Sequence, residues 1–318
     1  MKIKFWGTRG SIPVSVTATN IREKLVAALS GAIGRQLTTD ADINDYLNTL
    51  GFEVTGTFGG HSSCVQIDIG TEDHIICDMG SGARPLAQSL LTRFGPARPQ
   101  TYHVFMSHLH WDHIMGFPFF TPVYIPGNRI IIHSCHAEVE RAFRRQQDPI
   151  SFPVEFDQLA ARIEFEILQP GQVYAIAGMK VSAQKQHHSG DSYGWRFEHG
   201  GQAVVYSTDS EHPVDDIAGQ AAIVEFFRGA DAVIFDAMYS LAEAVSVKAD
   251  WGHSSNIVGV ELCQQAKVKR LLMFHHEPAY CDGKLTQLLA ETRRFEEITR
   301  EDHRVEVLTT WDGMELEL

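Results

Sequence analysis

The run His108-Leu109-His110-Trp111-Asp112-His113 constrains this chain more than any other stretch of it. It follows Tyr102 to Met106, which reads as a strand, so His108 and His110 at i and i+2 project from one face of extended backbone. Two imidazoles placed in this way can grip one ion. Asp112 and His113 lie just beyond, where the chain must turn, and a carboxylate with an imidazole there can hold a second ion beside the first. The pattern differs from helical H-E-x-x-H, in which histidines at i and i+4 reach a single zinc. Three histidines and an aspartate within six residues have few purely structural reasons to coexist. Buried ionisable groups are costly unless they are paired or coordinated.

The chain carries 16 histidines in 318 residues, several of them beside Asp or another His. A two-ion site needs further ligands, and three places offer them: His187-His188, Asp209 after Val204-Val-Tyr-Ser-Thr208, and His275-His276 after Leu271-Leu-Met-Phe274. Each follows a strand-like segment, and strand ends with their loops are where layered α/β proteins carry functional groups. His74, His103, His199 and His303 stand outside this pattern and read as surface or hydrogen-bonded histidines.

Further strands are expected over residues 2–6, 63–69, 74–77, 129–133, 163–168, 171–178, 180–186, 203–207, 232–235, 270–274 and 305–308, with a closing hairpin through Trp311-Asp-Gly313 into residues 314–318. Helices fit residues 136–147, 256–265 and 285–299. Between the first two strands, residues 16–57 break the β pattern. Ile21, Leu25, Leu29 and Ile33 fall at four-residue steps after an Asn20 cap with Glu23, and a second helix runs from Asp40 to Leu50 with Gly51 to end it. A helical hairpin inserted at 16–57 is the expectation. Its role is a lid, a dimer arm or simple packing. Runs of strands with interspersed helices predict an α/β chain of sheets covered by helices, organised as one domain over residues 1–318.

Composition narrows the function. With 27 Lys and Arg against 40 Asp and Glu, the formal charge of −13 disfavours a broad footprint on nucleic acid, which relies on clustered cations. No long nucleic acid is expected as partner. The first apolar residues are too few for a signal peptide, and no stretch approaches the roughly 20 apolar residues of a membrane span. A cytoplasmic location without membrane contact follows as the expectation. The five cysteines lack any C-x-x-C pair and support neither a disulfide framework nor a zinc ribbon. The glycines around Ser81 lack the G-x-x-x-x-G-K-[ST] pattern of a triphosphate-binding loop.

With Gly7-Thr-Arg-Gly-Ser-Ile-Pro13, Gly59-Gly-His-Ser-Ser-Cys64, Asp78-Met-Gly-Ser-Gly82, the 108–113 run, Tyr193-Gly-Trp-Arg196, Ser207-Thr-Asp209, Gly252-His-Ser254 and Phe274-His-His-Glu-Pro278, the chain resembles the metallo-β-lactamase superfamily over nearly its whole length. The likeness is to the phosphodiesterase-like branch that includes ribonuclease Z and the cyclic-phosphate diesterases. It implies a four-layer αββα sandwich. It also implies one metal held by His108, His110 and His188, another by Asp112, His113 and His275, and Asp209 bridging both. His188 is preferred over His187 by its six-residue distance to Gly194, and His276 is left a structural part.

The resemblance implies two divalent ions, zinc by default with manganese or iron as alternatives, since His and Asp ligands do not choose the metal. A hydroxide bridging the ions would attack a small or cyclic phosphodiester. Asp112, Asp209 and His253 are the expected catalytic groups, His253 protonating the leaving group or binding phosphate. Asp78 would orient a ligand through hydrogen bonds, and His61 departs from the family's usual Asn. Only twenty residues separate His188 from Asp209, too few for the projecting RNA-binding arm of ribonuclease Z. The alternatives are hydrolysis of a lactone, lactam or thioester on the same scaffold, and a metal-bearing sensor or interaction module. The sequence does not read out an oligomeric state; a homodimer is one possibility, since dimers are common on base rates.

Overall fold

The structure is a computed structural model that describes residues 1–213, 215–244 and 251–318. Its first sheet takes strands β1 (Lys2–Gly7), β2 (Cys64–Asp68), β3 (His74–Cys77), β4 (Thr101–Phe105), β5 (Arg129–Ser134) and β6 (Arg162–Ile167) in that spatial order. The second takes β7 (Val173–Ile176), β8 (Met179–Gln186), β9 (Ser192–His199), β10 (Gln202–Ser207), β11 (Ala232–Asp236), β12 (Arg270–Phe274) and β13 (Glu306–Thr309). A last strand, β14 (Glu315–Glu317), returns to the first sheet beside β1, so each sheet has seven strands.

Side-chain alternation builds the layers. In β11, Ala232 and Ile234 face the other sheet while Val233 and Phe235 face helices, and in β12 Leu272 and Phe274 alternate likewise with Leu271 and Met273. These strands are buried on both faces and therefore read as unbroken apolar runs. One apolar core fills the space between the sheets, around Phe5, Phe105, Trp195, Phe197 and Phe274. A second lies outside the first sheet against α4 (Ala83–Phe94) and α6 (Val139–Gln146). The third lies outside the second sheet against α7 (Ile217–Phe227), α9 (Asn256–Gln265) and α10 (Asp282–Thr299). The result is the expected four-layer αββα sandwich. Strands β3 to β6 and β10 to β13 run parallel, which requires crossovers, and most of these helices supply them.

Between β1 and β2 lie three helices, α1 (Ala18–Ala32), α2 (Asp40–Asn48) and α3 (Phe52–Thr55). The α1 cap is Thr17 rather than Asn20: Thr17 Oγ1 accepts from the Asn20 backbone N–H, and the Asn20 side chain accepts in return from that of Thr17. Gly51 does not end α2, which stops at Asn48, but opens α3. The four-residue apolar stripe of α1 exists but is not buried. Leu25 and Leu29 are 57% and 68% exposed, and α1 has no buried residue. Polar contacts tie α1 down: Lys24 Nζ donates to Gly56 O at 2.8 Å and to Asp282 Oδ2 at 2.6 Å, and Tyr46 OH of α2 donates to Ala28 O.

The expected closing hairpin is overturned, because β13 and β14 belong to different sheets. The turn between them is held by the other strand system: Asp312 accepts from the Gly60 and His61 backbones, and Phe5 bonds with Gly313 and Met314. The structure also shows β9, α4 and α7, three elements without a clear periodic signal. In α4, Pro85 stands in the first turn, where no N–H is needed. Helix α6 begins at Val139, not His136, and α10 begins at Asp282 rather than Leu285.

Candidate metal centre

His108 and His110 stand in the loop after β4, and Asp112 and His113 on the short helix α5 (Trp111–Ile114) that follows. His188 comes just after β8, Asp209 after β10 and His275 after β12. The first sheet thus contributes four of the expected ligands and the second contributes three, and all seven meet at one end of the sandwich. Among the described residues, four groups have ligand atoms mutually within 4.8 Å: the expected His108, His110 and His188, the expected Asp112, His113, Asp209 and His275, and two further groups, His188, Asp209 and His253, and Asp236, His253 and His275.

Asp209 stands between the sets. Its Oδ1 lies 3.2 Å from His113 Nε2 and 3.2 Å from His275 Nε2. Its Oδ2 lies 3.6 Å from His108 Nε2 and 3.8 Å from His188 Nε2. Asp112 Oδ2 is 3.2 Å from His113 Nε2 and 3.5 Å from His275 Nε2. His110 Nδ1 and His188 Nε2 converge to 3.1 Å. His187 points elsewhere, with its side chain 67% exposed beside Glu211.

The donor set fits cations. The buried atoms His108 Nε2, His113 Nε2 and His275 Nε2 have no hydrogen-bond partner, although buried polar atoms nearly always have one. Burial, reinforced by the neighbouring His113, holds the His108 pKa well below its ordinary value, and burial likewise lowers His110 and His188. These three rings are therefore neutral and present lone pairs, the form a metal needs. Burial also works against charge on His113, but Asp209, Asp112 and Asp78 outweigh it and raise its pKa well above the ordinary value. A positive charge among three carboxylates is what a bound cation would supply.

The surroundings fix these ligands in place. Asp78, fully buried, accepts at 2.7 Å from His113 Nδ1, from Ser107 Oγ and from Tyr206 OH, and its Oδ1 accepts from the Ser107 N–H. It fixes the orientation of the His113 ring. His188 Nδ1 donates to Gly252 O at 2.7 Å, and a Cβ on Gly252 would stand 2.5 Å from that same nitrogen. Asp78, Asp209 and His275 all adopt positive φ, at 58°, 41° and 60°. Such backbone costs about 1–3 kcal/mol per residue and clusters at functional sites.

His253 borders the site, its Nδ1 2.9 Å from Asp236 Oδ2 and 4.0 Å from Asp209 Oδ2. Burial disfavours its charge, but Asp236 and then Asp209 prevail and raise its pKa to about 9. Asp236 is the group that sequence reasoning missed. An acid closing an otherwise apolar, fully buried strand was the available signal. His61 Nδ1 lies 3.1 Å from Ser81 Oγ, and Ser62 Oγ donates to Asp112 O, so this turn supports the α5 backbone. His276 Nε2 donates to Thr310 O at 2.8 Å and is structural. His74, His103, His199 and His303 all hydrogen-bond away from the centre.

Residues 74–276 match the family model of the beta-lactamase superfamily domain, and the chain belongs to that family. Among curated proteins it is 23% identical over 269 residues to ribonuclease BN of Escherichia coli O81, covering 68% of this chain and 82% of that one. Among solved structures, the metallo-β-lactamase fold protein YhfI from Bacillus subtilis superposes with a TM-score of 0.64 at 17% identity, covering 100% of this chain and 98% of the other. Zn(2+)-bound PqqB from Methylobacterium extorquens has a TM-score of 0.61 at 12% identity, covering 100% of both chains. Human tRNase Z, short form, has a TM-score of 0.61 at 17% identity, covering 100% and 99%. Among the described residues, no helix is long and apolar enough to cross a membrane.

Proposed function

We propose that this protein is a binuclear metal-dependent phosphodiesterase acting on a small or cyclic phosphodiester. The observation that carries the reading is Asp209, whose two oxygens face two separate sets of ligand atoms, three of which, His108 Nε2, His113 Nε2 and His275 Nε2, have no hydrogen-bond partner. His108, His110 and His188 would hold one ion, Asp112, His113 and His275 the other, and Asp209 would join them. Two divalent ions held by these residues would acidify water and neutralise the charge of in-line displacement. Zinc suits this ligand set, as do manganese and iron.

The remaining chemistry belongs to side chains. Asp236 Oδ2 accepts from His253 Nδ1 and so turns the ring edge toward the centre. A His253 held protonated is a donor for the oxygen that leaves phosphorus. Asp78 accepts from His113 Nδ1 and so fixes the ring with its Nε2 facing Asp112 and Asp209, where a bound cation would take the place of a proton.

A small substrate is favoured over long RNA by the chain between His188 and Asp209. Its twenty residues form the adjacent strands β9 and β10, turned through Gly200-Gly201, with no projecting arm. Turnover of bis(4-nitrophenyl) phosphate by protein loaded with zinc or manganese tests the proposal. The expected outcome is metal-dependent release of 4-nitrophenolate. No turnover in any metal form, or dominant hydrolysis of a lactone, lactam or thioester, contradicts it.

A further inference from the structure

The helices between β1 and β2 carry an apolar face that the rest of the described chain does not cover. Ile21, Leu25, Leu29 and Ile33 stand at four-residue steps along α1, and Ile43 and Leu47 make the same step on α2. All six are between 37% and 83% exposed. The helix itself is firmly held, by Lys24 donating to Asp282 Oδ2 and by Tyr46 OH donating to Ala28 O. A groove of about 240 Å³ opens between α1, α2 and α3, lined mainly by Ile21, Leu25, Ala28, Leu47 and Val54. A void of about 150 Å³ accepts a benzene ring, so this groove has room for an aliphatic side chain.

The layout of this face fits a second copy of the chain. The groove lies along the first half of α1, whereas the two most exposed side chains of the stripe, Leu29 at 68% and Ile33 at 83%, lie beyond it. A twofold axis sets one α1 antiparallel to the other, and the projecting half of each then meets the groove of its partner. A large aliphatic side chain offers roughly 100 Å² of apolar surface, so the six together expose on the order of 350 Å². A standard interface takes about 800 Å² from each partner, a little over half of it apolar, and the six side chains supply most of that share. A membrane surface fits less well. Helix α1 has no aromatic residue, its cations are Arg22 and Lys24, Lys24 is paired with Asp282, and the formal charge of the chain is −13. We infer that α1 and α2 form a twofold interface between two copies of this chain, with the α1 helices antiparallel and Leu29 and Ile33 of each seated in the groove of the other.

Sedimentation velocity of the full chain over about 1 to 100 μM reads the association directly. The wild-type protein should reach about twice the mass of one chain at the upper end of that range. Leu29→Glu and Ile33→Glu put an unpaired carboxylate into an apolar contact and should each raise the dissociation constant of the dimer about tenfold or more. Leu29→Ala, which only shortens the side chain and suits a helix, should weaken the dimer in the same direction. Ile150→Glu, after α6 and 96% exposed, should leave it as it is. Both α1 positions are exposed in the single chain, so the variants should keep the far-UV circular dichroism of the wild type.

A wild type that stays monomeric throughout overturns the inference, and co-sedimentation of that monomer with phosphatidylglycerol vesicles would give the face to a membrane instead. A dimer equally tight in Leu29→Glu, Ile33→Glu and Leu29→Ala also overturns it, because the contact between copies then lies on another surface.

Discussion

Asp78 shows how much a single carboxylate organises here. It adopts positive φ, is fully buried and receives four hydrogen bonds from Ser107, His113 and Tyr206. Removing its charge leaves the first ring of ligands intact but loosens His113. Asp78→Asn is expected to weaken metal affinity about 10- to 100-fold, the usual range for a residue that orients a ligand, as measured by competition with a chromophoric chelator. An affinity equal to that of the wild type would assign Asp78 to the turn alone. At this scale the meeting of the seven expected residues was legible in the sequence, because four stand in the turn after β4 and the other three directly after β8, β10 and β12. Asp236 was not. Its partner His253 is 17 residues further along the chain, and only the packing of the loop before α9 brings the two within 2.9 Å. Gly252 was likewise legible only as part of a motif, since its close approach to His188 is a fact of three dimensions.

The elements differ in how their periodicity turns into stability. Phe143 on α6 is fully buried against Phe117 and Phe165, whereas Leu25 on α1 has the same amphipathic spacing and lies in solvent. Periodicity announces a helix but does not reveal what, if anything, covers its apolar face. Phe143→Ala should therefore cost about 3–5 kcal/mol, while Leu25→Ala should change stability by no more than about 0.5 kcal/mol, both read from urea denaturation midpoints in dilute, monomeric protein. A cost at Leu25 above about 2 kcal/mol would show that its face is covered within one chain. Strands β11 and β12 were legible because burial on both faces makes them near-continuous apolar runs. Strand β9 was hidden by Gly194 and by its charged members Arg196 and Glu198. The final turn misled because Trp311-Asp-Gly313 has hairpin chemistry, yet its bonds with Phe5, Gly60 and His61 carry the chain from one sheet to the other.

At the scale of the whole molecule, neither sheet makes the centre alone. The first sheet brings His108, His110, Asp112 and His113, the second brings His188, Asp209 and His275, and the apolar core between them sets their separation. A cation bound there ties the two sheets together, and a ligand that binds only the folded state stabilises it by mass action. Asp209 faces both expected sets, so the central claim is most directly tested by metal content. Elemental analysis of the protein refolded or purified with excess zinc should find about two ions per chain in the wild type and no more than one in Asp209→Asn. One ion or fewer in the wild type, or two retained in the variant, would contradict a binuclear centre joined through Asp209.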